Sequence, residues 1–69
     1  MFAERLKEAR KRKGLSQRAL ANRLEMHHTE VSKYENRKRE PGLHKLANIA
    51  RELGVATDYL LGLSDEIGE

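Results

Sequence analysis

Breaks at Gly14, Glu25–His27, Pro41–Gly42, Gly54 and Gly62 cut this chain into short stretches, and the apolar residues in each recur at helical rather than alternating spacing. That pattern predicts an all-α domain of five short helices. Phe2, Leu6 and Ala9 mark the first, from about residue 2 to 13, with Arg10–Lys13 at its negative end and Leu15 folding back past Gly14. Ser16 is a good N-cap for the second, about 17 to 24, which carries Ala19, Leu20, Ala21 and Leu24. The third, about 28 to 36, turns Val31 and Tyr34 inward, and Glu30 stands three residues after His27, where an acid can bond the N-cap amide. Residues 36–42 read as a basic irregular loop stopped by Pro41. Leu43, Leu46, Ala47, Ala50 and Leu53 trace the stripe of a fourth helix, about 43 to 53, and Thr57–Leu61 form a weaker fifth. Residues 1–62 are therefore expected to form the domain and 63–69 a flexible acidic C-terminal tail.

With 69 residues there is room for one core, and the absence of cysteine excludes disulfide staples and thiolate metal sites. Charge is unevenly placed. Residues 1–45 hold 13 Lys and Arg against 6 Asp and Glu, a net of +7, whereas residues 46–69 hold Arg51 against five acids, a net of −4. A basic body with an acidic end suits a polyanion bound by the first part. Charges recur from Glu4 onward, so neither a signal peptide nor a membrane span is expected, and a cytoplasmic protein with no membrane partner is. His27, His28 and His44 raise a metal site, but adjacent helical histidines should face different ways and no carboxylate triad joins them; no metal is expected. No nucleophile–base pair, glycine-rich phosphate loop or carboxylate dyad stands out, so the chain reads as neither an enzyme nor a cofactor or small-molecule binder.

The second and third helices, joined by a break of three or four residues, have the form of a helix-turn-helix unit. Such a unit requires a third helix apolar on one side and polar on the other, and His28, Thr29, Ser32 and Lys33 remain outside when Val31 and Tyr34 face in. The ordered runs Ser16-Gln17-Arg18-Ala19-Leu20-Ala21, Val31-Ser32-Lys33-Tyr34-Glu35-Asn36 and Lys38-Arg39-Glu40-Pro41 strengthen this reading. With Leu46-Ala47-Asn48-Ile49-Ala50, Leu53-Gly54-Val55 and Asp58-Tyr59-Leu60-Leu61-Gly62, they closely resemble the phage repressor/Cro-like (XRE-type) helix-turn-helix family over about residues 2 to 62.

The resemblance implies a lambda-repressor-like fold and a dimeric, sequence-specific transcriptional repressor that lays the third helix in the major groove of a palindromic double-stranded operator. It implies base-reading by His27, His28, Thr29, Ser32 and Lys33, and backbone contacts by Arg10, Ser16, Gln17, Asn36, Arg37, Lys38 and Arg39. It also implies a structural ion pair between Arg10 and Glu35, and a homodimer interface around Val55, Tyr59 and Leu61, extended by Leu63 and Ile67. Three positions depart from the family pattern: Glu25 and Arg37 stand where glycine is usual, and His27 replaces a Ser or Thr cap. An antitoxin or restriction-modification controller of the same fold, or a helical protein-interaction module that does not bind DNA, remains open.

Overall fold

The computed structural model describes residues 1–68. Its helices are α1 (Phe2–Arg12), α2 (Gln17–Arg23), α3 (His28–Glu35), α4 (Leu43–Leu53) and α5 (Thr57–Leu61), with no strand among the described residues. α1 packs on both α3 and α5, α2 packs on α3, and α4 packs on α5. Buried positions recur every three or four residues on α1, α3 and α4, and the two shortest helices, α2 and α5, each bury an adjacent pair. Leu6 and Ala9 come from α1, Leu20 and Ala21 from α2, Val31 and Tyr34 from α3, and Tyr59 and Leu60 from α5. Phe2 closes the edge of this core, its ring meeting Tyr34 edge-on with centroids 6.3 Å apart.

The stripe on α4 differs from the expected one. Leu46, Ile49, Ala50 and Leu53 are buried, whereas Leu43 is 84% exposed and Ala47 is also exposed. α4 meets the core only from Leu46 onward, and Ala47 lies about 100° round the helix from Leu46. Ile49 supplies the residue that fills the i+3 place.

All five helices stop by the same device. The amide that follows the left-handed residue at each helix end reaches back to the carbonyl five residues earlier, as in Leu15 N to Arg10 O (3.1 Å), Met26 N to Ala21 O (2.9 Å) and Lys38 N to Lys33 O (2.8 Å). Val55 N to Ala50 O (3.0 Å) and Leu63 N to Asp58 O (2.9 Å) complete the set. This closure needs a left-handed residue just after the helix. Gly14, Gly54 and Gly62 provide it without strain, but after α2 and α3 it falls on Glu25 (φ 56°) and Arg37 (φ 63°). The turn between α2 and α3 therefore keeps its geometry and bears the steric cost of a Cβ, about 1–2 kcal/mol. Glu25→Gly should stabilise the domain by about 1 kcal/mol and raise Tm by roughly 4–8 °C in thermal unfolding followed by circular dichroism. An unchanged or lowered Tm would mean that Glu25 makes a compensating contact.

The tail takes a course other than the loose one expected. Arg5 of α1 donates from Nη1 to the carbonyls of Tyr59 (2.9 Å) and Ser64 (2.7 Å), and from Nη2 to Asp65 (2.9 Å). The same guanidinium lies over the Tyr59 ring, 4.3 Å from its centroid. Ala56 N donates to Ile67 O at 2.8 Å, and Ile67 packs against the core. Residues 63–68 are thus tied to α1 and α5 by hydrogen bonds that local sequence periodicity does not encode.

Candidate nucleic-acid interface

Three elements meet around one buried ion pair. Arg10 of α1 donates from Nε to Glu35 Oε2 (2.6 Å) and from Nη2 to Glu35 Oε1 (3.1 Å), and its Nη1 reaches the Leu15 carbonyl (2.7 Å). Gln17, the first residue of α2, donates from Nε2 to the same Oε1 at 3.0 Å. Side-chain exposure is 8% for Arg10 and 3% for Glu35, so this pair works in a low-dielectric setting. Arg10 was expected both in this ion pair with Glu35 and among the phosphate contacts. Its guanidinium instead faces inward with three donors engaged, and its role is to hold α1, α2 and α3 in register.

From that anchor the outer faces of α2 and α3 are set. Gln17, His28, Thr29, Ser32, Lys33, Asn36 and Lys38 line one open concavity of about 440 Å³. Ser16 caps α2 by accepting from the Ala19 amide (3.0 Å), which leaves the amides of Gln17 and Arg18 without intrahelical acceptors at the positive helix end. Asn36 Nδ2 donates to Ser32 Oγ at 3.1 Å and steadies the far end of the concavity. Lys33 and Lys38 are exposed on its rim.

The remaining expected contacts fall elsewhere. Arg37 pairs with Glu4 of α1, and Arg39 donates from Nη1 to both Glu30 oxygens at 3.0 and 3.1 Å. The basic loop is therefore partly neutralised by acids distant in sequence. Glu30 does not cap α3 as expected, because its carboxylate is taken by Arg39. That hydrogen bond, aided by the Arg39 charge against partial desolvation, holds the Glu30 carboxyl below its ordinary range. Any stability from this exposed pair is present above the unfolded carboxylate pKa and fades as pH falls through the lower folded value.

His27 caps α3 itself: its Nδ1 accepts from the Thr29 amide at 3.2 Å. His27 and His28 do not diverge as adjacent helical residues should. His27 precedes the helix, and the two rings stack with centroids 4.5 Å apart and planes 29° apart. Partial desolvation, then the Arg18 guanidinium and His27, hold the His28 imidazole below its ordinary range. A neutral His28 presents one donor and one acceptor nitrogen at pH 7. Arg18 was absent from the expected contacts. Its place on the first turn of α2, next to Gln17, was the signal available, but its closeness to His28 is a product of how α2 crosses α3.

Tyr59 was expected at a dimer interface. It is buried, its hydroxyl donates to Glu8 at 2.7 Å and its ring lies under Arg5, so both its polar and its flat faces serve the fold. Ile67 likewise packs on its own core and Val55 is half-buried against it, while Leu61 (45%) and Leu63 (74%) are exposed.

Residues 6–60 match the family model described as helix-turn-helix. The chain belongs to the helix-turn-helix family. Among curated relatives of this helix-turn-helix domain is the SPbeta prophage-derived HTH-type transcriptional regulator YonR of Bacillus subtilis (strain 168), 46% identical over 61 residues, which cover 88% of this chain and 56% of YonR. The domain thus spans somewhat more than half the length of that relative. Among solved structures, the P22 c2 repressor in complex with a synthetic operator superposes with a TM-score of 0.86 at 26% identity, covering 93% of this chain and 97% of that one. Hydroxypropylphosphonic acid epoxidase from S. wedmorenis carries a similar unit, with a TM-score of 0.80 and 35% identity over 86% of this chain and 31% of the epoxidase. The helix-turn-helix fold therefore occurs both in an operator-bound repressor and as part of an enzyme, and function has to be argued from the site. No helix among the described residues is long and apolar enough to cross a membrane.

Proposed function

We propose that this chain is the DNA-reading domain of a cytoplasmic transcriptional regulator, most simply a repressor that binds a palindromic operator as a homodimer. The observation that carries this reading is the concavity on α2 and α3. Its lining of His28, Thr29, Ser32 and Lys33 supplies donors, acceptors and a methyl suited to base edges, and no acidic side chain lines it among the described residues. An eight-residue α3 fits the major groove, roughly 12 Å wide, and Lys33, Lys38, Arg18 and the amides opening α2 stand where phosphates would flank it. That the similar P22 c2 repressor has been seen in complex with a synthetic operator supports binding to DNA. Pairing follows from readout: one short helix meets few base pairs, and a two-fold copy doubles them. Leu61, the last residue of α5, and Leu63 just beyond it are exposed apolar residues that such a copy would cover.

Selection of duplexes from a random pool tests the reading directly. A preferred site should emerge, and its inverted symmetry should report the dimer. On that site His28→Ala should cost about 1–3 kcal/mol of binding while leaving unrelated duplexes unaffected. Lys38→Ala should weaken both alike. A pool that yields no enriched sequence, with the protein folded, would leave a protein-interaction module as the better account.

A further inference from the structure

α3 opens on a side chain seldom used for the purpose. N-caps are usually short oxygen acceptors, and here an imidazole takes the place. His27 Nδ1 accepts from the Thr29 amide at 3.2 Å and lies 2.9 Å from the Thr29 hydroxyl oxygen. A nitrogen that accepts from an amide cannot carry its own proton, so the ring proton sits on Nε2 and the Thr29 hydroxyl donates to Nδ1. Both donors of Thr29 are therefore directed at the one in-plane lone pair of Nδ1, on a ring that stacks on His28.

The consequence falls on Thr29. Its β-branched side chain has few χ1 wells, and tying the hydroxyl to His27 selects among them. Thr29 is exposed and lines the concavity beside His28, Ser32 and Lys33. With its one proton committed to His27, the hydroxyl can no longer donate to a base edge, and the methyl is the part of the side chain with no other partner. A free hydroxyl could pair with several base edges, whereas a methyl finds a specific counterpart in the major groove only in the C5-methyl of thymine. We infer that His27 is a positioning residue for sequence discrimination: it converts Thr29 into a methyl reader that favours thymine at one position of each half-site. This rests on the DNA-reading function proposed above, and it takes His27 out of direct base contact.

The test uses the selected duplex with each thymine replaced in turn by deoxyuridine, which removes only the C5-methyl. The unmodified protein should bind about fourfold less well at one substitution per half-site, the fold-change equivalent of about 0.8 kcal/mol for a buried methyl-sized group. His27→Ala should bind thymine and deoxyuridine duplexes equally. Adding Thr29→Val should restore the preference, because both γ positions are then methyls, and a cap with a purely structural role would not give that rescue. In the unmodified protein, scalar couplings of Thr29 should report a single χ1 rotamer. Rotamer averaging overturns the inference even if His27→Ala proves unfolded, as does a His27→Ala variant that keeps the thymine preference. Binding with no thymine–deoxyuridine difference anywhere overturns this inference alone. Failure to bind any duplex at low salt removes the DNA-reading function and this inference together.

Discussion

Glu35→Ala should cost about 3–5 kcal/mol of folding stability, the cost of leaving one member of a buried ion pair alone. The variant strands the Arg10 guanidinium, 8% exposed, without the carboxylate that accepts from its Nε and Nη2, and it removes the acceptor of Gln17. Of the present partners of Arg10, only the Leu15 carbonyl bound to Nη1 would remain. Domains of ordinary size hold only about 5–15 kcal/mol in total, and small ones sit low in that range. A large fraction of the variant should therefore be unfolded without a ligand, with a fall in Tm of at least roughly 12–24 °C. Urea titration followed by circular dichroism measures the loss. Replacing both partners by apolar residues, Arg10→Met with Glu35→Leu, should recover most of it, since no buried charge then lacks a partner. A loss below about 1 kcal/mol for Glu35→Ala would show that the pair behaves as a solvated surface contact. Because Gln17 is fixed through Glu35, the same pair sets one wall of the concavity, and a partly folded variant should also bind DNA less tightly.

Binding to duplex DNA should collapse with added salt, by about a thousandfold between 50 and 200 mM if some six phosphates are neutralised. The structure ranks which cations produce that slope. Arg18, Lys33 and Lys38 are exposed around the concavity, whereas Arg37 and Arg39 are paired with Glu4 and Glu30. Replacing Arg18, Lys33 and Lys38 together by alanine should flatten the log–log slope by about 0.9 per lost phosphate contact, hence by roughly 2.7. Replacing Arg37 and Arg39 should change it less, because each already has a carboxylate partner to give up. Fluorescence anisotropy across a salt series reads both variants. Equal slopes for the two, or a larger effect from the paired arginines, would mean that the basic loop rather than the rim of α3 grips the backbone.

Much of this molecule is legible in local pattern. Helix positions followed from apolar residues three and four apart, and the caps at Ser16 and Gly14 from residue types with one dominant local use. Val31 and Tyr34 facing in, with His28, Thr29, Ser32 and Lys33 facing out, follows from helical geometry alone. Departures from that pattern come from side-chain partners that helical spacing does not specify. Glu30 was assigned by its spacing to His27 and was claimed by Arg39 nine residues on. Tyr59, which the family resemblance places at a dimer interface, has its ring and its hydroxyl covered by Arg5 and Glu8, more than 50 residues earlier. The tail lacked periodicity, yet Arg5 and the Ala56 amide hold it in place.

Composition, spacing and turn residues thus determined that the chain forms five helices, where each begins and ends, and which side of α3 is polar. Those properties depend on backbone hydrogen bonds and side-chain burial within a few residues, so a local string of letters contains them. Only the tertiary structure decided which cations are left for a polyanion, which rings are locked, and that the expected Arg10–Glu35 pair is buried deeply enough to withdraw Arg10 from the surface. A charge's partner depends on distances between helices, and those are set by packing of the whole core.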